Sequence, residues 1–383
     1  MSTGRSVVIR SLTPSALALV VAVAASGCGM ESDTAAGAAP TSAPTSGASS
    51  ARASASIACD GSGQLLGAGS TAQGNAIDLW RNEFESACPS VTVNYGGGGS
   101  GAGVQQFNSG KVAFAGTDAA LSPAEVDASK QVCTGGRGID LPMVGGLISV
   151  VFNVTGVDRL VLDGPTTAKI FDSQITTWND PAIVALNPGT SLPDAPIQAF
   201  HRGDDSGTTA NLTAYLAAAS NGAWGHPAGK AWAGKGGQSA NGSAGVAAQV
   251  KQVDNSIGYA ELSFAQTNNL KSAAISTGAA QPVEANAANA AATLATAQVT
   301  GTDGDLALNL DYAIKDENAY PLVLVTYEVV CDKGNKASAL PALKSFLSYT
   351  SSDAGQQAIA PIGYVPLPEA LTSKVRTAVS GLA

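Results

Sequence analysis

The chain has 383 residues, which is too long for one small core and predicts two domains, and its 45% hydrophobic content excludes a wholly disordered protein. Only 13% of the residues are charged and the formal net charge is -9, an acidic balance that argues against nucleic-acid binding. Any anion site must therefore be local, built from backbone N–H groups, hydroxyl groups and a guanidinium group.

Residues 1–27 have the pattern of a secretory signal peptide. Arg5 and Arg10 give a basic start, and the apolar run that follows, from Ala16 to Ala25, is too short to span a membrane. Small residues precede Cys28, as in bacterial lipoproteins. We expect export, lipidation of Cys28 and attachment to the outer face of the cell membrane through that anchor. The alternative is ordinary signal cleavage, with Cys28 as a spare thiol.

Residues 28–58 are expected to form a flexible tether. Ala, Ser, Thr, Pro and Gly dominate this stretch, and no apolar periodicity appears in it. Such a composition cannot bury enough surface to order itself. The folded domains are therefore expected to begin near Cys59.

Four cysteines remain in the folded part, namely Cys59, Cys88, Cys133 and Cys331. An even number in an exported chain predicts two disulfides, and three pairings are possible. Cys59 and Cys88 precede the first two predicted strands, so they lie at one sheet edge if those strands are parallel neighbours. This favours Cys59–Cys88 and Cys133–Cys331. The wide spacings argue against a metal site, and we predict neither a metal nor a cofactor.

The folded part alternates strands with helices along the chain. The first region predicts strands at 64–67, 91–95 and 112–116, with helices at 72–87 and around Val104. The second predicts helices at 166–171, 181–186, 208–219, 245–253 and 286–297, strands at 197–200 and 257–259, and a loop at 222–245. Two long apolar strands, 142–153 and 321–330, are candidates to cross between domains. Helices at 340–349 and 369–379 end the chain.

This alternation predicts an α/β fold with doubly wound, mainly parallel sheets. Ligands of such sheets bind beyond the carboxyl ends of the strands. Three polar turns fall at those ends: Gly69-Ser70-Thr71, Ser100-Gly101 and Thr117-Asp118. Thr71 and Ser100 each offer a hydroxyl group near a predicted helix start. Three such turns together predict a site for an oxyanion.

A fourth turn runs from Arg202 to Thr208, between a predicted strand and a predicted helix. Ser206, Gly207 and Thr208 would present helix N-terminal N–H groups and two hydroxyl groups to an anion. Arg202 supplies a planar fork suited to two anionic oxygens, and Asp204 is close enough to orient it. The alternative is a capped helix with a surface arginine.

Asp118 differs from the other candidates because it is an acceptor. A carboxylate beside an anion is repulsive unless the anion carries a proton, as phosphate does near neutral pH. Sulfate carries no proton and would leave the buried acceptor unpaired. Asp118 therefore points to phosphate. The alternatives are a solvated aspartate at a strand end or a cap of a helix near Pro123.

The turns resemble the phosphate-binding motifs of the phosphate-binding proteins of bacterial ABC transporters, a periplasmic-binding-protein family with the type II fold. The resemblance rests on Gly67–Thr71, Tyr95–Gly103, Phe114–Ser122 and Arg202–Thr208, and it extends over nearly all of the chain after Cys59. It implies a two-lobed Venus-flytrap fold with two crossing segments, one lobe at 59–144 plus 320–383 and the other at 145–319.

The resemblance also implies a ligand set for phosphate, with Asp204 pairing with Arg202: Thr71, Ala72, Ser100, Asp118, Arg202, Ser206, Gly207 and Thr208. Ala72 replaces a frequent phenylalanine, and a backbone contact survives that change. The glycines after Ser100 depart from the usual pattern, which leaves Gly101 outside the set. The implied function is high-affinity phosphate capture outside the cytoplasm by a monomer that delivers phosphate to a membrane permease and is not an enzyme.

Three alternatives remain open from the residues. Asp205-Ser206-Gly207 is similar to the nucleophile segment of trypsin-like proteases, and His201 and His226 are available as bases. A site for another oxyanion and a surface adhesin on the same fold are the others. Lys230 and Lys235, in the glycine-rich loop, are expected to be solvated surface charges.

Overall fold

The computed structural model describes residues 57–383. The predicted signal peptide, the lipidation site Cys28 and nearly all of the tether lie outside this range. The strands are β1 (Gly63–Gly69), β2 (Val91–Gly96), β3 (Phe114–Thr117), β4 (Gly138–Asn153), β5 (Val161–Asp163), β6 (Gln198–Arg202), β7 (Gln238–Ala240), β8 (Ser256–Glu261), β9 (Lys271–Ser272), β10 (Ala274–Ser276), β11 (Gln298–Val299), β12 (Leu308–Asn309) and β13 (Val323–Cys331).

The helices alternate with these strands along the chain. They are α1 (Gly74–Ala87), α2 (Ser100–Asn108), α3 (Pro123–Ser129), α4 (Gly164–Phe171), α5 (Pro181–Leu186), α6 (Gly207–Ala219), α7 (Gly242–Gln252), α8 (Leu262–Thr267), α9 (Ala287–Leu294), α10 (Leu340–Thr350), α11 (Asp353–Ile359) and α12 (Glu369–Gly381), with a short 3-10 helix at Ala360–Ile362. Among residues 57–383, no helix combines the length and the apolar character that a membrane span needs.

The main sheet has the strand order β2-β1-β3-β13-β4-β8-β6-β7. Strand β4 pairs with β13 along Gly138–Leu147 and with β8 along Ile148–Asn153, so it passes from one half of the sheet to the other. We call the half with β1 to β3 the first lobe and the half with β6 to β8 the second lobe. Within each lobe these strands are parallel, and the crossing strand next to them, β13 in the first lobe and β4 in the second, runs antiparallel to them. The predicted two-lobed α/β fold with two crossing segments is confirmed.

The crossing strands are buried almost throughout. Every residue of β13 is buried, as is all of β4 except Asn153. A strand covered on both faces needs a continuous apolar run rather than an alternating one, which explains their sequence pattern. Separate apolar cores lie in the two lobes, one around Trp80 and Phe346 and the other around Trp178 and Tyr215.

Helix starts and short elements differ from the sequence expectations. Helix α1 begins at Gly74 rather than residue 72, because the carbonyl group of Thr71 accepts the Gly74 N–H in a turn (3.2 Å). Helix α2 begins at Ser100, before the predicted Val104. The predicted loop at 222–245 contains β7 and the start of α7. Helices α3, α8 and α11 were not predicted.

Both predicted disulfides are present. Cys59 pairs with Cys88 (Cα–Cα 5.3 Å), and Cys133 pairs with Cys331 (Cα–Cα 5.2 Å). Strands β1 and β2 are parallel neighbours, as the pairing argument required. The second disulfide lies where β4 begins and β13 ends, since Gly138 and Cys331 are paired in the sheet.

Candidate anion-binding site

Asp118 follows β3 and lies at the junction of the lobes. Its side chain is 3% exposed, and the hydroxyl groups of Ser70, Thr326, Ser100 and Thr208 point at it. The alternative of a solvated aspartate is therefore wrong. The alternative of a helix cap is also wrong, because Ser122 caps α3.

The two carboxyl oxygens of Asp118 have different surroundings. Oδ1 accepts short hydrogen bonds from Ser70 Oγ (2.5 Å) and Thr326 Oγ1 (2.7 Å). Oδ2 has only long contacts with Ser100 Oγ (3.5 Å) and Thr208 Oγ1 (3.4 Å). Burial raises the pKa of Asp118, while these hydrogen bonds and the Arg202 charge act in the opposite direction.

The start of α6 brings the second lobe onto this carboxyl group. Ser206 is the N-cap, and its Oγ accepts the Thr209 N–H at 3.2 Å. The Gly207 N–H donates to Ser100 Oγ at 3.0 Å, and the Asn211 side chain donates to the Asp118 carbonyl oxygen at 2.6 Å. The helix N-terminus is thus directed at the residues of the first lobe, and the Gly207 N–H, which the sequence analysis assigned to an anion, donates to Ser100 instead.

One expectation for Ser206 needs correction. Its N–H was predicted to be available to an anion, but it donates to the carbonyl oxygen of Lys230 at 2.9 Å. The reason is that the loop after α6 folds back over the N-terminus of the helix. Of the two groups of Ser206, only the hydroxyl, which accepts the Thr209 N–H, is therefore left to donate to an anion.

Arg202 ends β6 and is 2% exposed, so the alternative of a surface arginine is wrong. Its Nε donates to Asp204 Oδ1 at 2.7 Å, and its Nη2 also pairs with that carboxylate. Burial of Asp204 favours its neutral form, but the Arg202 guanidinium and the Gly242 N–H hold the pKa of Asp204 below its usual value. Asp204 thus orients Arg202, as predicted, and Nη1 lies 3.4 Å from Ser243 Oγ.

Thr71 lies on the Arg202 side of the site. Its Oγ1 accepts the Ser243 N–H (3.0 Å) and lies 3.2 Å from Ser243 Oγ, which links it to Arg202. The Ala72 N–H donates to Ser70 Oγ at 3.1 Å. A cavity of about 410 Å³ opens beside these groups, and its lining includes Thr71, Asp204, Ser243 and Phe264.

Glycines allow the two lobes to approach each other. A Cβ atom at Gly99 would lie 2.3 Å from Asp204 Oδ2, and one at Gly101 would lie 2.5 Å from the Asp205 Cβ. The Gly101 N–H donates to the Asp205 carbonyl oxygen at 2.9 Å. The glycine run after Tyr95 therefore accommodates the loop that carries Asp204.

Hydrogen bonds join several of the eight predicted ligand positions. Ser100, Asp118, Gly207 and Thr208 form one group, which Ala72 reaches through Ser70. Thr71 is linked to Arg202 through Ser243, and Ser206 is bonded to Thr209 at the start of α6. Three polar neighbours of the site were not anticipated from the sequence, namely Asn211, Ser243 and Thr326, while Ser70 was named in its turn but left outside the ligand set. The sequence carried a signal for Thr326. A threonine within the apolar run of β13 is buried with the strand, so its hydroxyl group needs a hydrogen-bond partner there. Asn211 lies one helical turn after Gly207.

The geometry that a serine hydrolase requires is not formed around Ser206. His201 Nδ1 lies 2.9 Å from the Arg202 carbonyl oxygen, and its ring stacks on Trp232. His226 Nε2 lies 2.7 Å from Asp172 Oδ1. Within residues 57–383, which include both histidines of the chain, no hydrogen bond joins a histidine to Ser206, and no cluster of His, Cys, Asp and Glu is arranged for a metal ion.

A two-lobed fold with polar turns converging between the lobes defines a ligand-binding protein of the periplasmic-binding-protein class. In agreement, a family model described as a PBP superfamily domain matches residues 38–354. The phosphate-binding protein PstS 3 of Mycobacterium leprae is 42% identical over 361 residues, covering 94% of this chain and 95% of that protein. The chain belongs to the family of these PstS phosphate-binding proteins.

Two further comparisons agree with this assignment. PstS 3 of Mycobacterium tuberculosis strain H37Rv is 42% identical over 365 residues, covering 94% of this chain and 96% of that protein. The crystal structure of a phosphate-binding protein from Stenotrophomonas maltophilia aligns with a TM-score of 0.63 at 20% identity, covering 82% of this chain and 94% of that one. The second likeness concerns the fold.

Proposed function

We propose that this chain captures inorganic phosphate outside the cytoplasm and delivers it to the membrane permease of an ABC-type importer. The observation that carries the proposal is the buried acceptor Asp118 among hydroxyl and N–H donors. The relatives named above support it, because they are called phosphate-binding proteins and the alignments cover nearly their whole length.

The charge balance of the site favours a ligand that carries its own proton. Arg202 contributes one positive charge, and the carboxyl groups of Asp204 and Asp118 offset it. An anion must therefore be held by hydrogen bonds to dipoles rather than by net charge. Protonated phosphate can donate a hydrogen bond to Asp118 Oδ2. Sulfate has no proton to donate, so its oxygens and Oδ2 would face each other as two unpaired acceptors.

The proposed ligands divide between the lobes. Thr71, Ala72, Ser100 and Asp118 hold the anion from the first lobe, and the second lobe adds the set Arg202, Ser206, Gly207 and Thr208. We propose 59–144 plus 320–383 and 145–319 as the lobes that close on it. Phosphate contacts made only in the closed form would shift the population toward closure, and the permease would read the closed form.

The remaining proposals concern location and state. We propose that residues 1–27 are removed, that Cys28 is lipidated, and that residues 28–58 tether a monomer to the outer face of the cell membrane. The protein would contact the membrane only through this anchor. We propose reversible binding without catalysis, which the position of Ser206 away from both histidines supports. Intact-mass analysis of the mature protein tests the anchor.

Isothermal titration with phosphate, sulfate and arsenate tests the proposed function. Tight phosphate binding and much weaker sulfate binding are expected, and equal affinities would contradict the role of Asp118. Arg202→Ala should remove most of the phosphate affinity, because it removes the planar double donor.

Asp118→Asn tests the source of the selectivity. The amide can donate a hydrogen bond, so sulfate should become acceptable, and the ratio of the two affinities should fall more than the phosphate affinity does. A large loss of phosphate affinity with unchanged discrimination would be evidence against this role. Ester and phosphatase assays should show no turnover.

A further inference from the structure

Asp118 can distinguish anions by their protons only if its ligand-facing oxygen is free to accept a hydrogen bond and its position is fixed. A buried carboxylate without fixed partners could turn both oxygens away from the ligand or share its donors between them, and no oxygen would then be reserved for the ligand. The structure must therefore contain groups that hold the other oxygen. Both hydrogen-bond donors at Oδ1 are side chains outside the predicted ligand set.

Ser70 and Thr326 approach Oδ1 from different parts of the chain. Ser70 lies in the turn after β1, and Thr326 lies 208 residues further along the chain than Asp118, on the crossing strand β13. Both side chains are fully buried. A carboxylate oxygen has two lone pairs, so two short hydrogen bonds saturate Oδ1 and leave Oδ2 as the oxygen with acceptor capacity.

The backbone holds both donors in place. The Ser70 N–H donates to the Gly116 carbonyl oxygen (2.7 Å), and the Ser70 carbonyl oxygen accepts the Tyr95 hydroxyl (2.9 Å). Tyr327 pairs with Thr117 in the antiparallel ladder between β13 and β3, so Thr326 lies opposite Asp118 just beyond the end of β3.

An irregularity in the sheet occurs at the same place. Thr326 pairs with Val144 on β4, but Tyr327 pairs with Pro142, which leaves Met143 without a partner. Bulges of this kind are common beside binding sites, where they set the direction of a side chain. Pro142 has no N–H to donate, so the ladder is interrupted at the level of Asp118.

We infer that Ser70 and Thr326 are specificity-determining residues: together they occupy one oxygen of Asp118 and reserve the other for the proton of the ligand. The inference rests on the proposed phosphate-binding function. It assigns these two hydroxyl groups a role in selectivity without contact between them and the anion.

The protonation state of Asp118 decides whether the site accepts sulfate, so the selectivity depends on pH. Hydrogen bonds from Ser70 and Thr326 favour the ionised carboxyl group, against the effect of burial. Without one of them, Asp118 would keep its proton to a higher pH and could donate to sulfate. The other charged or titratable groups that face Asp118 are Arg202, Tyr95, Glu261 and Glu328.

The test is isothermal titration of the full chain with inorganic phosphate and with sulfate between pH 5 and 7. In this range Glu261 and Glu328 keep their protons, because burial raises the pKa of each to about 8. The variants are Thr326→Val, which removes the hydroxyl group at nearly constant volume, and Ser70→Ala. Thr326→Ser should restore wild-type behaviour. The matched control is Thr350→Val, a buried threonine of the first lobe that donates to Leu347 and Met143.

We expect Thr326→Val and Ser70→Ala each to weaken phosphate binding about tenfold and to strengthen sulfate binding at pH 6 about tenfold, the effect of about one buried hydrogen bond to a charged group. The pH at which sulfate starts to bind should move upward, and Thr350→Val should show neither change. If both variants bind phosphate but keep the wild-type sulfate ratio and pH profile, this inference is wrong while the proposed function stands. Absence of phosphate binding by the wild type would overturn both.

Discussion

Three buried carboxyl groups lie close to one another behind the site. Asp118 contributes to the electrostatic environment of both Glu261 and Glu328, and burial raises the pKa of each glutamate to about 8. Glu328 faces the Gln73 amide, which acts in the opposite direction, and pairs with Gly116 in the sheet. Near neutral pH these two glutamates are therefore neutral acids, which limits the negative charge beneath an anion site.

Glu328→Gln should change the pH dependence of stability. In the unfolded chain a glutamate loses its proton near pH ~4.3. Between that pH and about 8 the folded protein holds a proton that the unfolded chain has released. The free energy of unfolding therefore falls as the pH rises through this window, and the loss is complete above it. The difference in free energy of unfolding between variant and wild type should therefore move in favour of the variant by an amount on the order of 4 kcal/mol between pH 5 and pH 9.

Urea unfolding at pH 5, 7 and 9 measures this effect. Part of the wild-type slope should persist in the variant, because Glu261 still titrates in the same window. Glu317→Gln, at an exposed position, should leave the slope unchanged. A Glu328→Gln curve that superimposes on the wild-type curve would contradict the assignment.

At the scale of elements, the site depends on the approach of two helix starts, α2 of the first lobe and α6 of the second. The first residue of α6, Gly207, meets the first residue of α2, Ser100. A Cβ atom on Gly207 would lie 2.6 Å from Ser100 Oγ and 2.6 Å from the Asp118 Cβ. Gly207 is therefore required for the space it leaves between the lobes.

Gly207→Ala should weaken phosphate binding by at least about tenfold, because overpacking at a tight contact opposes closure. The unfolding temperature of the ligand-free protein should not fall, since alanine is the better helix former and the proposed open form would separate Gly207 from Ser100 and Asp118. Titration and thermal unfolding give the two readouts. Gly225→Ala, where an added Cβ meets nothing within 4 Å, is the control. Equal losses of stability and affinity would point to a folding defect instead.

The elements differ in how far their sequence predicts them. Long apolar or amphipathic runs such as β4, β13 and α6 were predicted, because the order of their apolar residues shows whether one side or both sides are buried. Strands of two or three residues, such as β7, carry too few side chains for any period. The role of Thr326 depends on the register between β13 and β3, which local sequence does not determine. The prediction that Lys230 is a solvated surface charge was wrong, because Lys230 pairs with Glu125, and a partner 105 residues away cannot be read from local sequence.

At the scale of the whole molecule, Lys230 joins the lobes. Its Nζ donates to Glu125 Oε1 of α3 at 2.5 Å, and its carbonyl oxygen accepts the Ser206 N–H. The other oxygen of Glu125 accepts the Ser122 N–H in a capping box, which fixes the carboxylate. Burial of Glu125 opposes its ionisation, but Lys230 and Ser122 hold the pKa of Glu125 below its usual value. The ion pair therefore favours the observed arrangement, in which the lobes are in contact.

Lys230→Met should raise the phosphate dissociation rate about threefold, as expected for a partly exposed ion pair. The Ser206 contact survives, because it involves only the Lys230 backbone. Stopped-flow measurements with Glu125→Gln and the double variant complete a cycle, in which the double variant should be no faster than either single one. Lys130, the C-cap of α3, forms an ion pair with Asp127 of the same helix. Lys130→Met removes this pair and should leave the dissociation rate unchanged. Additive effects in the cycle would show that the pair is not coupled.

The position of β13 between β3 and β4 has a consequence for the order in which the protein assembles. The first lobe contains the start of the described chain, yet its sheet lacks a central strand until residue 331 is available. Cys133 and Cys331 are separated by 198 residues, and the whole second lobe lies between them. Contacts this distant in sequence form late, because a long loop must close first. The first lobe should therefore remain incomplete while the chain is being made, with the edge of β3 open, until one late strand insertion between β3 and β4 completes its sheet.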